Sequence, residues 1–148
     1  MIIKKASGGD LETAAYLFDL YRQFYEQESD IESAKGFLLE RIKKNESVIF
    51  LAIEENNNKG MGFVQLYPSF TSVGMKRMWI LNDLYVHEDF RKQGVAEALI
   101  RRARELAAET NAAGLILETH FSNIPAQKLY DKTGFEKDDE NVFYFLKV

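Results

Sequence analysis

The chain has 148 residues, 46% of them hydrophobic and 28% charged, which suits one globular domain spanning 1–148 and excludes a disordered chain. Nineteen Lys and Arg against 23 Asp and Glu leave a net charge of -4, the wrong sign for a general nucleic-acid binder. With no cysteine and two histidines, a disulfide scaffold, a thiolate metal site and a cysteine nucleophile are excluded, and no metal is expected. The longest apolar run, Val48 to Ile53, falls far short of the roughly 20 residues that cross a bilayer. Met1 to Lys5 carries no secretory apolar region. The expectation is a cytoplasmic protein that engages neither nucleic acid nor membrane.

Ile2 to Lys4 predicts a short first strand. Asp10 is placed to cap a helix, and Leu11, Ala14, Ala15, Leu17, Phe18, Tyr21, Phe24 and Tyr25 recur at helical spacing after it. Asp30 to Asn45 repeats the pattern with Ala34, Phe37, Leu38, Leu39 and Ile42. Val48 to Glu54 reads as a strand. Asn56 to Gly60 is a turn cluster, and Gly62 to Tyr67 is the returning arm of a hairpin. Pro68 to Lys76 reads as a loop, and Arg77 to Val86 as a long strand. Val95, Ala98, Leu99, Ala103, Leu106 and Ala107 mark one face of a helix. Leu115 to Thr119 predicts a buried strand. Asn123 caps a last helix with Pro125 in its first turn and Gly134 as its stop. Val142 to Val148 predicts a final aromatic strand. The hairpin is antiparallel, and strand, helix, strand over 78–119 is a βαβ unit. The sheet should be mixed, with helices on both faces.

The segment Arg91-Lys92-Gln93-Gly94-Val95-Ala96 lies between a strand and a helix. A helix start leaves backbone N–H groups unpaired and carries partial positive charge, and a phosphate satisfies both. Gly94 lets the backbone come close, Ala96 keeps the next turn small, and Arg91 and Lys92 add charge at the rim. No Walker loop and no triple-glycine dinucleotide fingerprint is present. Read alone, the turn also fits a tight connection with solvated Arg91 and Lys92.

The pattern Arg-x-x-Gly-x-Ala after Asp83-Leu84-Tyr85-Val86 resembles the acetyl-CoA pyrophosphate loop of the GNAT acetyltransferases. Asn123-x-x-Ala126-x-x-Leu129-Tyr130, followed by Gly134-Phe135, is similar to the second signature of that superfamily. The resemblance covers essentially the whole chain and is strongest from Trp79 to Phe135. Asn82 to Val86 and Ala126 to Tyr130 look closest to small histone/polyamine, diamine and ribosomal-protein alanine acetyltransferases.

The resemblance implies an α/β GNAT fold: a mixed, mostly antiparallel sheet with a splayed parallel pair and helices on both faces. It implies an N-acetyltransferase with acetyl-CoA as co-substrate and a primary amine of a small molecule, polyamine or peptide as acceptor, attacking directly in a ternary complex. The backbone of Leu84, Tyr85 and Val86 would pair with the pantetheine. The N–H groups of Gln93, Gly94, Val95 and Ala96 would take the pyrophosphate, with Arg91 or Lys92 alongside. Asn123 would contact the pantetheine arm, or serve as a helix cap. The N–H of Tyr85 or Val86 would stabilise the oxyanion. Tyr130 stands at the general-acid position, where a phenol can protonate the leaving thiolate. Two carboxylates compete as base. Glu118 matches the alanine enzymes. Asp83 neighbours Asn82, which stands where the diamine enzymes carry a glutamate. Transfer through water or the substrate stays open. His87 and His120 match no catalytic position.

Acceptor choice would lie with Phe18 to Glu32 and Tyr67 to Lys76. Asp19, Glu26, Glu28, Asp30 and Glu32 among aromatics suit a cation, or form a solvated face. Tyr67, Phe70 and Trp79 would wall the pocket or pack. The family resemblance also implies a homodimer, with Val142 to Val148 pairing across the axis. A sensor that binds acetyl-CoA without turnover is the alternative, and an interaction domain without cofactor a third.

Overall fold

Five stretches extend into strands: β1 (Ile2–Lys5), β2 (Val48–Ile53), β3 (Gly60–Thr71), β4 (Lys76–Val86) and β5 (Leu115–Ile116). Four wind into helices: α1 (Leu11–Phe24), α2 (Ile31–Lys43), α3 (Val95–Glu109) and α4 (Ile124–Thr133). The computed structural model describes residues 1–148, which form a unit of Met1–Glu118 and a unit of Thr119–Val148.

In the first unit the strands form one sheet in the order β1-β2-β3-β4-β5. The first four are antiparallel neighbours, and β5 runs parallel to β4. The alternation of β2 decides what covers each face. Ile49, Leu51 and Ile53, with Phe63 of β3, pack under Ala14, Ala15, Leu17 and Phe18 of α1 and Ala34 and Leu38 of α2. Phe50 faces the other way, and the guanidinium of Arg102 on α3 sits 4.5 Å from its ring centroid. Val95, Leu99, Ala103 and Leu106 line the buried stripe of α3. All of β2 is buried because both faces are covered. The mixed sheet with helices on both faces is as the sequence implies.

Four expectations are corrected. Pro68 to Lys76 is mostly strand, because β3 runs on to Thr71 and pairs with β4 as far as Thr71 opposite Lys76. β2 pairs with β3 only between Gly60 and Leu66, so Pro68 lies where β3 is an edge on that side, the position that tolerates a missing N–H. The strand expected over Leu115 to Thr119 stops at Ile116. Val142 to Val148 joins no strand, and its apolar side chains are exposed, since alternation alone makes no ladder without a neighbour. Asp10 precedes α1 without capping it through its side chain; its carboxylate accepts from the Ser7 N–H at 3.0 Å and pairs with Lys4 at 2.7 Å.

In the second unit α4 has the ends its sequence encodes. The Asn123 side chain accepts from the Ala126 N–H at 3.3 Å, Pro125 lies in the first turn, and Gly134 closes the helix at φ 100°. No helix is long and apolar enough to cross a membrane.

Candidate active site

The turn into α3 is built from two residues in the left-handed region, Lys92 at φ 59° and Gly94 at φ 78°. Alternating backbone of this kind turns successive N–H groups toward one concavity, which suits an anion. No side chain caps α3, and its first intrahelical bond is the Ala98 N–H to the Gly94 carbonyl at 3.0 Å. The N–H groups of Val95 and Ala96 therefore have no acceptor within the helix. A Cβ on Gly94 would meet no atom within 4 Å, so it would stand in open space at the helix start. Arg91, Lys92, Gln93 and Gly94 are exposed, Ala96 is half-buried and Val95 is a core residue. Arg91 is not a free rim cation. Its Nε donates to the Val86 carbonyl at 3.1 Å and its guanidinium lies 5.8 Å from the Tyr85 ring centroid. Lys92 is exposed at the turn.

β4, which leads into this turn, outruns its parallel neighbour β5. They pair only at Trp79 with Leu115 and Ile80 with Ile116, so from Leu81 onward β4 has a neighbour on the β3 side alone. Leu84, Tyr85 and Val86 lie on that open length and are half-buried. Trp79 is packed in the core and does not wall a pocket: its indole N–H donates to Thr110 Oγ1 at 2.8 Å.

The same stretch carries an irregularity. Gln65 pairs with Asp83 and Leu66 with Leu81, which leaves Asn82 as an unmatched residue on β4. A bulge of this kind re-aims the side chains next to it. Asp83, buried at 4% exposure, accepts from Gln65 Nε2 at 2.6 Å and from Asn82 Nδ2 at 3.0 Å, and Tyr21 of α1 also hydrogen-bonds to it. Burial pushes its carboxyl above the usual carboxylate range, against these three hydrogen bonds. The phenol of Tyr67 is pushed up to about 12, first by burial and then by the Asp83 charge.

The other site residues expected from the sequence have their own surroundings. Glu118 is exposed, beyond the end of β5. Tyr130 and Asn123 belong to the second unit, where the half-buried Tyr130 ring meets Phe135 edge-on at 5.6 Å. Asp19 is structural: it accepts from Ser29 Oγ at 2.6 Å and the Asp30 N–H at 2.8 Å, tying the end of α1 to the start of α2. Both histidines are engaged locally. Nδ1 of His87 accepts from the Asp89 N–H at 3.2 Å, and Nδ1 of His120 lies 2.6 Å from Ser122 Oγ. Gln65 escaped the sequence reading, though it had a signal, a lone amide inside the apolar run Gly62 to Tyr67. Tyr21 was among the aromatics of the acceptor segment Phe18 to Glu32; its hydrogen bond to Asp83 had no signal, since it lies on the core stripe of α1.

Residues 14–135 match the Acetyltransferase (GNAT) family. The chain belongs to this family. It is 43% identical over 148 residues to the uncharacterized N-acetyltransferase YhfO of Bacillus subtilis (strain 168), covering 100% of this chain and 98% of that one. It is 36% identical over 118 residues to a probable acetyltransferase of Haemophilus influenzae, covering 80% of each chain. The crystal structure of a probable acetyltransferase superposes with a TM-score of 0.95 at 43% identity, covering 100% of this chain and 98% of that one. GNAT enzymes draw the acetyl group from acetyl-CoA, and the start of α3 suits its diphosphate on three counts: unpaired N–H groups, a left-handed glycine and open space before it.

Proposed function

We propose that this GNAT enzyme works as one domain and moves the acetyl group of acetyl-CoA to a primary amine by direct attack in a ternary complex. The observation that carries the reading is that β5 ends at Ile116 while β4 runs on to Val86, just before the glycine turn of α3 in sequence, which leaves strand backbone and helix N–H groups open in one unit. The N–H groups of Gln93, Gly94, Val95 and Ala96 bind the diphosphate, with Lys92 adding charge and Arg91 bracing the turn. The open backbone of Leu84, Tyr85 and Val86 takes the pantetheine, and the N–H of Tyr85 or Val86 faces the oxyanion. Asn123 contacts the pantetheine arm besides capping α4.

The amine nitrogen bonds to the carbonyl carbon as the carbon–sulfur bond breaks, and Tyr130 protonates the leaving thiolate. Of the two candidate bases, burial without a cation favours Asp83, since it raises the carboxyl toward neutral pH, where a base is most useful. Glu118 is the exposed alternative. The test is thiol release from acetyl-CoA across polyamines, aminoglycosides, amino acids and basic peptides. Release with one amine class is expected. Acetyl-CoA binding without release from any acceptor would make the protein a sensor.

We also propose a homodimer. Val142, Phe143, Tyr144, Phe145, Leu146 and Val148 are exposed on one short stretch, an apolar surface that a second copy would cover. Light scattering at micromolar concentration is expected to give twice the monomer mass, and a monomer mass would sink the idea.

A further inference from the structure

A buried carboxylate and a buried amide oxygen stand side by side, and neither has what it needs. The three partners of Asp83 are the amides of Gln65 and Asn82 and the phenol of Tyr21, all neutral, with no lysine or arginine among them. A buried charge without a counter-ion is costly to hold. Gln65 is 0% exposed, and its Oε1 has no hydrogen-bond partner. Its Nε2, on the same carbon, is the atom that touches Asp83 at 2.6 Å. The orphan acceptor and the uncompensated charge are thus neighbours. What both lack is one donor group that also carries positive charge. A primary ammonium places three N–H donors on a single cationic atom. A quaternary ammonium has the charge without the donors.

We propose that Asp83 and Gln65 Oε1 form a two-point seat for a primary alkylammonium, the acceptor of the transfer, with Gln65 as the residue that selects for its N–H groups. The identification of that ammonium as the acceptor rests on the acetyl-transfer reading above. One N–H points to the carboxylate and another to Gln65 Oε1. The N–H bond to the carboxylate then breaks, its proton goes to Asp83, and the electron pair stays on nitrogen as the nucleophile. When the new carbon–nitrogen bond has formed, the second proton leaves nitrogen and restores the phenol of Tyr130, which has given its own proton to the CoA thiolate. The titratable groups facing the seat are Tyr21 from α1 and Tyr67 from β3; Arg41 of α2 acts on Tyr67. The Tyr67 phenol, pushed up to about 12, stays neutral near pH 7, and Asp83 is the carboxyl that changes charge.

The experiment is a carboxyl-carbon NMR titration of Asp83 in the whole protein at matched ionic strength. It is run with n-butylammonium chloride and then with tetramethylammonium chloride. n-Butylammonium is expected to lower the Asp83 midpoint by about one pH unit, a tenfold change in proton affinity, and tetramethylammonium to leave it in place. Gln65→Leu is expected to shrink the butylammonium shift. In thiol-release assays it should raise KM for a primary amine about tenfold to a hundredfold, with KM for acetyl-CoA unchanged. No shift in the wild type, or an equal shift with tetramethylammonium, overturns the seat, and both readings are independent of whether Gln65→Leu folds. Calorimetry with acetyl-CoA on the same samples separates the two readings. Acetyl-CoA bound with no ammonium shift removes the seat and leaves the transferase. A shift without acetyl-CoA binding keeps the seat and removes its role in transfer.

Discussion

Tyr130→Phe is expected to lower kcat for thiol release by about 10²- to 10⁴-fold, the range a positioned general acid supplies, with both KM values near wild type. The substitution removes one hydroxyl and keeps the ring, so the edge-on contact with Phe135 survives and α4 should fold as before. An expelled thiolate that finds no proton is free to attack the new amide in return, and the rate then falls on solvent water. Because the chain has no cysteine, a thiol reagent added to the assay reports CoA alone. A variant as fast as the wild type would take the acid role away from Tyr130.

Gly94→Asp is expected to weaken acetyl-CoA binding by about 3–4 kcal/mol, some 10²- to 10³-fold, measured by calorimetry. The aspartate would put a carboxylate in the open space before α3, where the diphosphate needs helix N–H groups and partial positive charge. Gly94→Ala separates charge from backbone. Its methyl meets nothing within 4 Å, so the cost is that of forcing a side chain into φ 78°, about 1–2 kcal/mol of folding stability read by thermal melting. Cofactor affinity should change far less with Ala than with Asp. Equal losses would mean that Gly94 matters for its conformation and not for the anion.

Where a segment's role is set by its own residues, the sequence was readable. Asn123, Pro125 and Gly134 spell the ends of α4 within a dozen residues, and the structure has all three in those places. The apolar face of α3 and the buried run of β2 follow from periodicity in the same way. Where a role depends on a partner strand, the reading failed. Leu115 to Thr119 and Val142 to Val148 are apolar enough for strands, yet the first pairs over two residues and the second over none. Pro68 misled in the opposite direction, because an edge position is invisible until the sheet is assembled. The candidate site divides likewise. Gly94 and the turn around it were plain from the motif. Asp83 was one of two carboxylates until burial separated it from the exposed Glu118. The bulge at Asn82 and the company of Gln65 and Tyr21 depend on register between β3 and β4, which no local pattern encodes.

The pleat of β4 has a consequence for how such a molecule changes over generations. Asp83 and Tyr85 look toward α1 and α2, while Val86 lies on the side where Gly62 brings β3 close to Val95 of α3. One strand is thus a party wall between two rooms. Past the bulge at Asn82, Asp83 and Tyr85 furnish one, Leu84 and Val86 the other, and a replacement on one side leaves the other side's furniture where it stood. A lineage can refit the room under the first two helices for a new guest while the room beside α3 keeps its old tenant.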